Sequence, residues 1–315
     1  MGRMRPENWH LTEDLDEFLA RAGGFLHSRP ALHTVPLTVT DALRRRGLHF
    51  LGPENPVFGI LYGEDDDSGD GDGDGVGGGG GGGVGGGRAG SVRALLLHTP
   101  PFPVHVTALT APEADALAAR FAGVGHPVPG LCGPRGTAEA FAAAWQRRTG
   151  TAGTVAQHQR LYRLGELTSP EPAPEGRARL ADGGDREVLA RWYGEFHEAV
   201  GTRQGQDPAE WAEARLAHDG VTFWETVDGT PVSMAGTTPE IAGQVRIAPV
   251  YTPAELRGRG YAGAATAEAS RAAREAGAAE ILLFTDLANP TSNGLYQRIG
   301  YRPVADFAVW RFGGE

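Results

Sequence analysis

Between Val245 and Tyr301 the chain reads VRIAPVYTPAELRGRGYAGAATAEASRAAREAGAAEILLFTDLANPTSNGLYQRIGY, and no other stretch restricts the fold as much. A β-rich run, Val245 to Thr252, leads into Arg257-Gly258-Arg259-Gly260. An Ala-rich helix follows without a break, with Gly277 as its C-terminal stop. The first N–H groups of a helix lack intrahelical acceptors and lie at the positive end of its dipole, and glycines let phosphate oxygens approach them. Arg257 and Arg259 add charged donors. The junction predicts a phosphorylated ligand, and a diphosphate suits a loop of this length.

The second informative junction is Asn289-Pro290-Thr291-Ser292-Asn293-Gly294-Leu295-Tyr296. Asn289 at the N-cap with Pro290 in the first helical position starts a helix, and Ser292 and Tyr296, four residues apart, share one face. A phenol, with an ordinary pKa of about 10, can protonate a departing thiolate or alkoxide when a fixed helix aims it. Tyr296 is therefore the candidate acid.

In this order, V-Y-T-P-x-x-x-R-G-R-G-Y-A, an Ala-rich helix, a hydrophobic strand and N-P-x-S-x-x-L-Y-x-x-x-G-Y resemble the acetyl-CoA core of the GNAT superfamily of N-acetyltransferases, over roughly residues 177–312. The resemblance implies an α+β fold in which helices flank a mixed, mostly antiparallel sheet. It implies acetyl-CoA as cofactor, lying between Val250-Tyr251-Thr252 and the strand of Leu283 to Leu287. The diphosphate would rest on N–H groups of Arg257, Gly258, Arg259, Gly260, Tyr261 and Ala262, with Asn289 and Ser292 lining the channel. An amine attacks the thioester directly, Tyr296 protonates the thiolate, and no metal is required. Pro249, which cannot donate to a ladder, signals a bulge or a parting of strands, in agreement with the splayed strand of that fold.

Blander readings stand beside these. Asn289 serves equally as a helix cap, Arg259 as a solvated loop residue, and Tyr261 and Tyr301 as packing residues. A general base is not legible: the strand from Gln244 to Thr252 has no carboxylate, and Glu225, Glu195 and His197 remain open as bases acting through water. A different class of protein, a non-catalytic acyl-CoA-binding sensor or interaction module, is the alternative. The acceptor is left as a small-molecule amine or a peptide N-terminus.

Two other motifs compete and fit less well. Gly258-x-Gly260-x-x-Gly263 with Asp286 further on resembles a dinucleotide-binding fingerprint, but that motif needs its first glycine in the turn after the strand, and Pro253 to Arg257 intervene. Asp70-Gly-Asp72-Gly-Asp74-Gly75 invites a calcium loop, yet Gly81 stands where a bidentate Glu is required.

At 315 residues the chain has room for two cores. The expected division is a degenerate GNAT-like domain at 1–167, a Pro-rich linker at 168–176 (TSPEPAPEG), and the catalytic domain at 177–315. This layout is similar to that of the tandem-GNAT mycothiol synthases. In the first part, residues 11–23 predict an amphipathic helix; Val57–Tyr62, Val92–Leu97, Val104–Leu109 and Thr154–Leu167 predict strands. Pro112 opens one helix and Thr137–Arg148 forms another. Residues 63–90 hold 16 glycines and read as a disordered hairpin loop. Only Thr110-Ala111 precede Pro112, and no R-G-x-G occurs, so this half lacks a diphosphate loop. In the second part, Asp185 and Asp207 cap two helices that wall the acceptor side, and Val221–Val227 and Pro231–Thr237 pair about the Asp228-Gly229 turn.

The formal charge of −10 owes seven charges to Glu64, Asp65, Asp66, Asp67, Asp70, Asp72 and Asp74. All 29 basic residues are arginine and scattered, so no nucleic-acid partner is expected. The single cysteine, Cys132, excludes an intrachain disulfide and suits packing. No apolar run approaches the roughly 20 residues of a membrane helix, and MGRMRPENWH lacks a signal core, so a soluble cytoplasmic monomer or homodimer without membrane contact is expected.

Overall fold

A computed structural model describes residues 8–63, 90–202 and 205–313. The insert at 64–89, and with it both the disordered-loop and calcium readings, lies outside the described residues. Twelve strands form one sheet: β1 (Trp9–Thr12), β2 (Val57–Tyr62), β3 (Val92–His98), β4 (Val104–Val106), β5 (Gly130–Pro134), β6 (Gly153–Leu164), β7 (Arg177–Leu180), β8 (Val221–Glu225), β9 (Pro231–Thr237), β10 (Gln244–Tyr251), β11 (Glu280–Asp286) and β12 (Tyr301–Phe312). Eight α-helices accompany them among the described residues: α1 (Leu15–Ser28), α2 (Thr34–Arg46), α3 (Ala111–Val124), α4 (Arg135–Thr149), α5 (Arg186–Val200), α6 (Pro208–Leu216), α7 (Tyr261–Glu275) and α8 (Pro290–Arg298). The architecture is α+β, and only β4–β5 and β10–β11 pair in parallel.

The strand order, β1-β2-β3-β4-β5-β12-β6-β11-β10-β9-β8-β7, interleaves the two halves. β6 lies between β12 and β11, and the last strand, β12, runs between β5 and β6. Each half thus inserts a strand into the middle of the other, which makes the centre of the sheet a shared structure. On one face Val245, Ile247 and Leu283 of the sheet pack with Ala265 and Ala269 of α7 and Tyr296 and Ile299 of α8. On the other, α5 and α6 contribute Leu189, Trp192, Tyr193 and Trp211 to a core with Phe223, Met234 and Tyr251. Ala31, between α1 and α2, caps the mid-sheet residues Leu161, Leu282 and Phe307.

The structure corrects several expectations. The N-terminal helix starts only at Leu15, because Trp9 to Thr12 pair with β2 and Trp9 is buried. Asp14 then caps α1 through Asp16 N and Glu17 N. The strand expected to Leu109 ends at Val106, as Thr110 already begins α3. Helix α2 was not legible: Val35, Thr38, Val39 and Thr40 favour strands, yet Leu37 and Leu43 are buried and that burial overrides the propensity.

β5, Gly-Leu-Cys-Gly-Pro, reads as a loop until β12 supplies its partner. A Cβ on Gly130 would lie 2.2 Å from the Trp310 carbonyl oxygen, and one on Gly133 would lie 2.8 Å from Val106 Cγ2. These glycines permit close packing. Between them, burial pushes the Cys132 thiol to about 12, in keeping with a packing role. Because Gly130 holds the seam between the halves, Gly130→Ala is expected to destabilise the whole chain by about 1–3 kcal/mol in a denaturant titration. Stability equal to wild type would mean that the β5–β12 pairing is not needed.

Candidate active site

β10 and β11 begin as a parallel pair and then part. Gln244, Val245 and Arg246 oppose Glu280, Ile281 and Leu282, and no pairing follows. Beyond that point β11 stays with β6, while β10 follows β9 through a register shift between Ile247 and Val250. The shift spans Ala248-Pro249, where proline offers no N–H. Gly236 accommodates it, since a Cβ there would lie 2.8 Å from the Ala248 carbonyl oxygen. The result is an opening bounded by Ile247 to Tyr251 on one side and Leu283 to Asp286 on the other. The opposing strand thus ends at Asp286 rather than Leu287.

At one end of the opening the chain turns from β10 into α7. Thr252, buried, hydrogen-bonds Ser233 Oγ at 2.8 Å, and Arg257 Nε donates to the Thr252 carbonyl at 3.0 Å. Part of Arg257 therefore holds the loop against the strand. Arg259 donates only to the Glu255 carbonyl, at 3.3 Å, and is exposed. Gly258 and Gly260 take φ of +77° and +85°, the left-handed region that favours glycine.

Gly260 occupies the N-cap of α7 and provides no side-chain cap, so the first-turn N–H groups, including those of Tyr261 and Ala262, are left for an external acceptor. The corresponding turn of the first half is closed: Thr110 and Glu113 form a complete capping box at the start of α3. The buried Glu113 carboxylate accepts Thr110 N at 2.6 Å and pairs with Arg93.

α8 starts as expected, with Asn289 accepting from Ser292 N at 3.0 Å, so the capping role of Asn289 is realised. Ser292 is half-buried. Tyr296 is 7% exposed and packs 6.1 Å edge-on from Tyr301. Burial alone pushes its phenol up to about 12. Tyr296 shares its cluster with Ile247 and Leu283, the first residues past the last β10–β11 pair. Tyr301 is enclosed and bonds Ser270 at 2.8 Å, as a packing residue should, whereas Tyr261 is half-buried. Sequence reasoning missed Tyr162 and Asn293. Tyr162, on β6, donates to Asn293 Oδ1 at 2.9 Å, and Asn293 donates to the Asp286 carbonyl at 2.7 Å, tying α8 to the sheet. No local signal could reveal this pair, because β6 comes from the other half.

Across the sheet, Tyr251 donates to Glu195 at 2.9 Å, and burial together with that carboxylate pushes the phenol up to about 12. Asp185 does not cap α5 with its side chain. Its carboxylate instead takes both ends of the Arg179 guanidinium, at 2.7 and 3.0 Å. Glu225, one of the open candidates for a base, bonds Arg177 and Arg179 at 2.7 and 2.8 Å, which holds its carboxyl below the usual range. Such a group is a poor proton acceptor at neutral pH. His197, lowered by burial, bonds Thr202 at 2.8 Å.

A strand that parts from its neighbour beside an uncapped helix N-terminus leaves backbone donors open to an anionic ligand. Residues 186–301 match the Acetyltransferase (GNAT) family model. Solved structures share the fold over the whole chain. A GCN5-related N-acetyltransferase from Sphaerobacter thermophilus is 18% identical, with a TM-score of 0.58 over 98% of this chain and 96% of its own. A Drosophila protein reaches 0.58 at 12% identity, covering 96% and 98%, and a GNAT-family acetyltransferase from Colwellia psychrerythraea reaches 0.55 at 10%, covering 98% and 99%. The GNAT fold thus spans the full chain, consistent with a tandem layout. No curated protein matches it. No helix among the described residues is long and apolar enough to cross a membrane.

The lowered pKa of Glu225 has a definite sign. Its charged form stabilises the fold above the ordinary carboxylate range, and this contribution disappears as pH falls through the lowered value. Between about pH 7 and about pH 3, the stability gap between wild type and Glu225→Gln is expected to narrow; a gap independent of pH would contradict the ion-pair assignment.

Proposed function

We propose that the chain is an acetyl-CoA-dependent N-acetyltransferase, its chemistry carried by residues 177–315 and completed by β6. The region 1–167 is a degenerate GNAT-like unit joined through the 168–176 linker. The observation that carries this reading is the opening between β10 and β11, with uncapped α7 at one end and Tyr296 beside its mouth. The loop fits a diphosphate: two left-handed glycines, unclaimed first-turn N–H groups, and no atom within 4 Å of where a Gly258 Cβ would stand. In the first half the same position is filled by Glu113, whose charge repels phosphate.

Acetyl-CoA, when bound, supplies an activated acyl thioester. Arg257, Gly258, Arg259, Gly260, Tyr261 and Ala262 hold the diphosphate end. Val250, Tyr251 and Thr252 line the opening together with Ser292 and the Asn289 turn, and backbone groups of β10 beyond Arg246, without a β11 partner, are available to the amide arm and acyl oxygen. Tyr296 keeps its proton at neutral pH and donates it to the departing sulfur. The choice of base narrows to Glu195, through Tyr251 or water, and His197. The acceptor is an amine, on a small molecule or a peptide N-terminus.

Tyr296→Phe is expected to slow thiol release by about 10²- to 10⁴-fold with little change in CoA affinity by calorimetry. An unchanged rate would remove Tyr296 from the acid role, and CoA binding without any turnover by wild type would favour a sensor. Gly260→Val, which forces a β-branched residue to φ near +85°, should abolish CoA binding; retained affinity would refute the diphosphate position. Because Tyr296 is pushed to about 12, no alkaline limb belonging to it is expected below about pH 10. A limb centred near about pH 8 that vanishes in Tyr296→Phe would contradict its protonated role.

A further inference from the structure

Val245 and Ile247 point into the α7/α8 core, so Arg246, between them, projects to the opposite face, where α5 and α6 stand. Its guanidinium meets only the hydroxyls of Thr34 and Thr38 on α2, at 3.3 and 3.2 Å. Arg215, in the last turn of α6, donates to the Thr237 carbonyl at 2.6 Å and lies 5.5 Å over the Trp211 ring, while its Nε is buried without an acceptor. Gln244, wholly buried, accepts from Thr34 at 2.9 Å and leaves its Nε2 buried and unmatched. Among the described residues neither arginine forms an ion pair. Arg46, which also faces Arg215, is taken up by Glu210 and Gln206.

Resting on the acetyltransfer reading, we infer that the acceptor amine carries an anionic group, a carboxylate or phosphate, bound by Arg215 and Arg246 with Gln244 as a further donor. Both guanidiniums lose hydration here, and burial lowers each to about 10, so they remain charged at neutral pH. His105, lowered by burial to about 4, stays neutral. Half-buried cations that meet only neutral partners, beside unmatched buried donors at Arg215 Nε and Gln244 Nε2, favour a bound anion, and the planar fork of arginine matches the oxygens of carboxylate and phosphate. The position suits an acceptor. Arg246 is the last β10 residue paired with β11, the opening starts at the next residue, and Val250 lies roughly 13 Å along the strand. A ligand anchored at Arg246 can therefore present an amine a few bonds away to the opening. The first half takes part through Thr34 and Thr38, which orient Arg246.

The test compares matched acceptors on the full chain by thiol release: amino acids against their carboxamides, and ethanolamine phosphate against ethanolamine. Wild type is expected to prefer the anionic member of at least one pair by at least about tenfold in kcat/KM. Arg246→Gln and Arg215→Gln should erase that preference by raising KM for the anionic acceptor, with CoA affinity by calorimetry unchanged, and Arg215→Lys should restore part of it. Equal rates within every pair overturn the inference while leaving the transferase reading intact, and the wild-type ratio decides even where a variant fails to fold. Stabilisation of wild type by inorganic phosphate, lost in Arg215→Gln and without any acceptor preference, would assign the site to a free anion and overturn the inference. Wild type that binds no CoA removes the acetyltransfer reading and this inference with it.

Discussion

The parting of β10 from β11 is the constraint on which the rest of the site depends. A parallel pair normally closes by continuing its hydrogen bonds, and here the ladder stops after Arg246 because the next stretch shifts register around a residue without an N–H. β11 is not left bare, since β6 covers its other edge over five residues. The sheet can therefore hold an opening at its middle without losing its continuity. A helix starting at one end of that opening aims its unpaired N–H groups toward the same space, while the helix starting at the far end of β11 brings a phenol to its mouth.

The two halves solve the same local problem differently. Both contain a parallel strand pair linked through a helix, α3 in one and α7 in the other. The turn into α3, Thr107 to Thr110, is four residues long and finishes in a capping box, in which Thr110 accepts Glu113 N and Glu113 accepts Thr110 N. The turn into α7 is longer and ends in glycine, so no N-cap side chain covers its first-turn donors. A capped helix start adds stability, and an uncapped one leaves its donors open to an anion; the two halves differ in this respect. The first half still shapes the second. It contributes β6 to the middle of the sheet, Tyr162 to the anchoring of α8, and α2 to the face bearing Arg246.

The opposite face of the sheet has its own electrostatic order. Glu225 and Asp185 are matched by Arg177 and Arg179 and are held deprotonated. Arg215 and Arg246 meet only hydroxyl, carbonyl and ring partners. Acidic and basic groups are thus separated along one surface. The carboxylates near the edge strands are neutralised by internal partners, while the positive charge over the centre is not.

How much of this was legible follows from the range of the interactions involved. The sequence by itself determined the features that arise within a few residues: the Arg257-Gly258-Arg259-Gly260 loop running straight into α7, the Asn289-Pro290 start of α8 with Tyr296 on the same helix, the hairpin from β8 to β9, and the irregularity at Pro249. Each depends on backbone conformations or side-chain spacings that neighbouring residues impose. Only the tertiary structure decided that Gly130 to Pro134 is a strand, that Val35 to Thr40 are helical, that Glu225 and Asp185 are committed to arginines, and that β6 and β12 change places between the halves. These depend on burial and on partners that the folded sheet brings together, such as β12 for β5 and the strand β7 for Glu225 on β8. Propensity and periodicity record only what a segment prefers alone, so they could not choose among the partners that the folded sheet supplies.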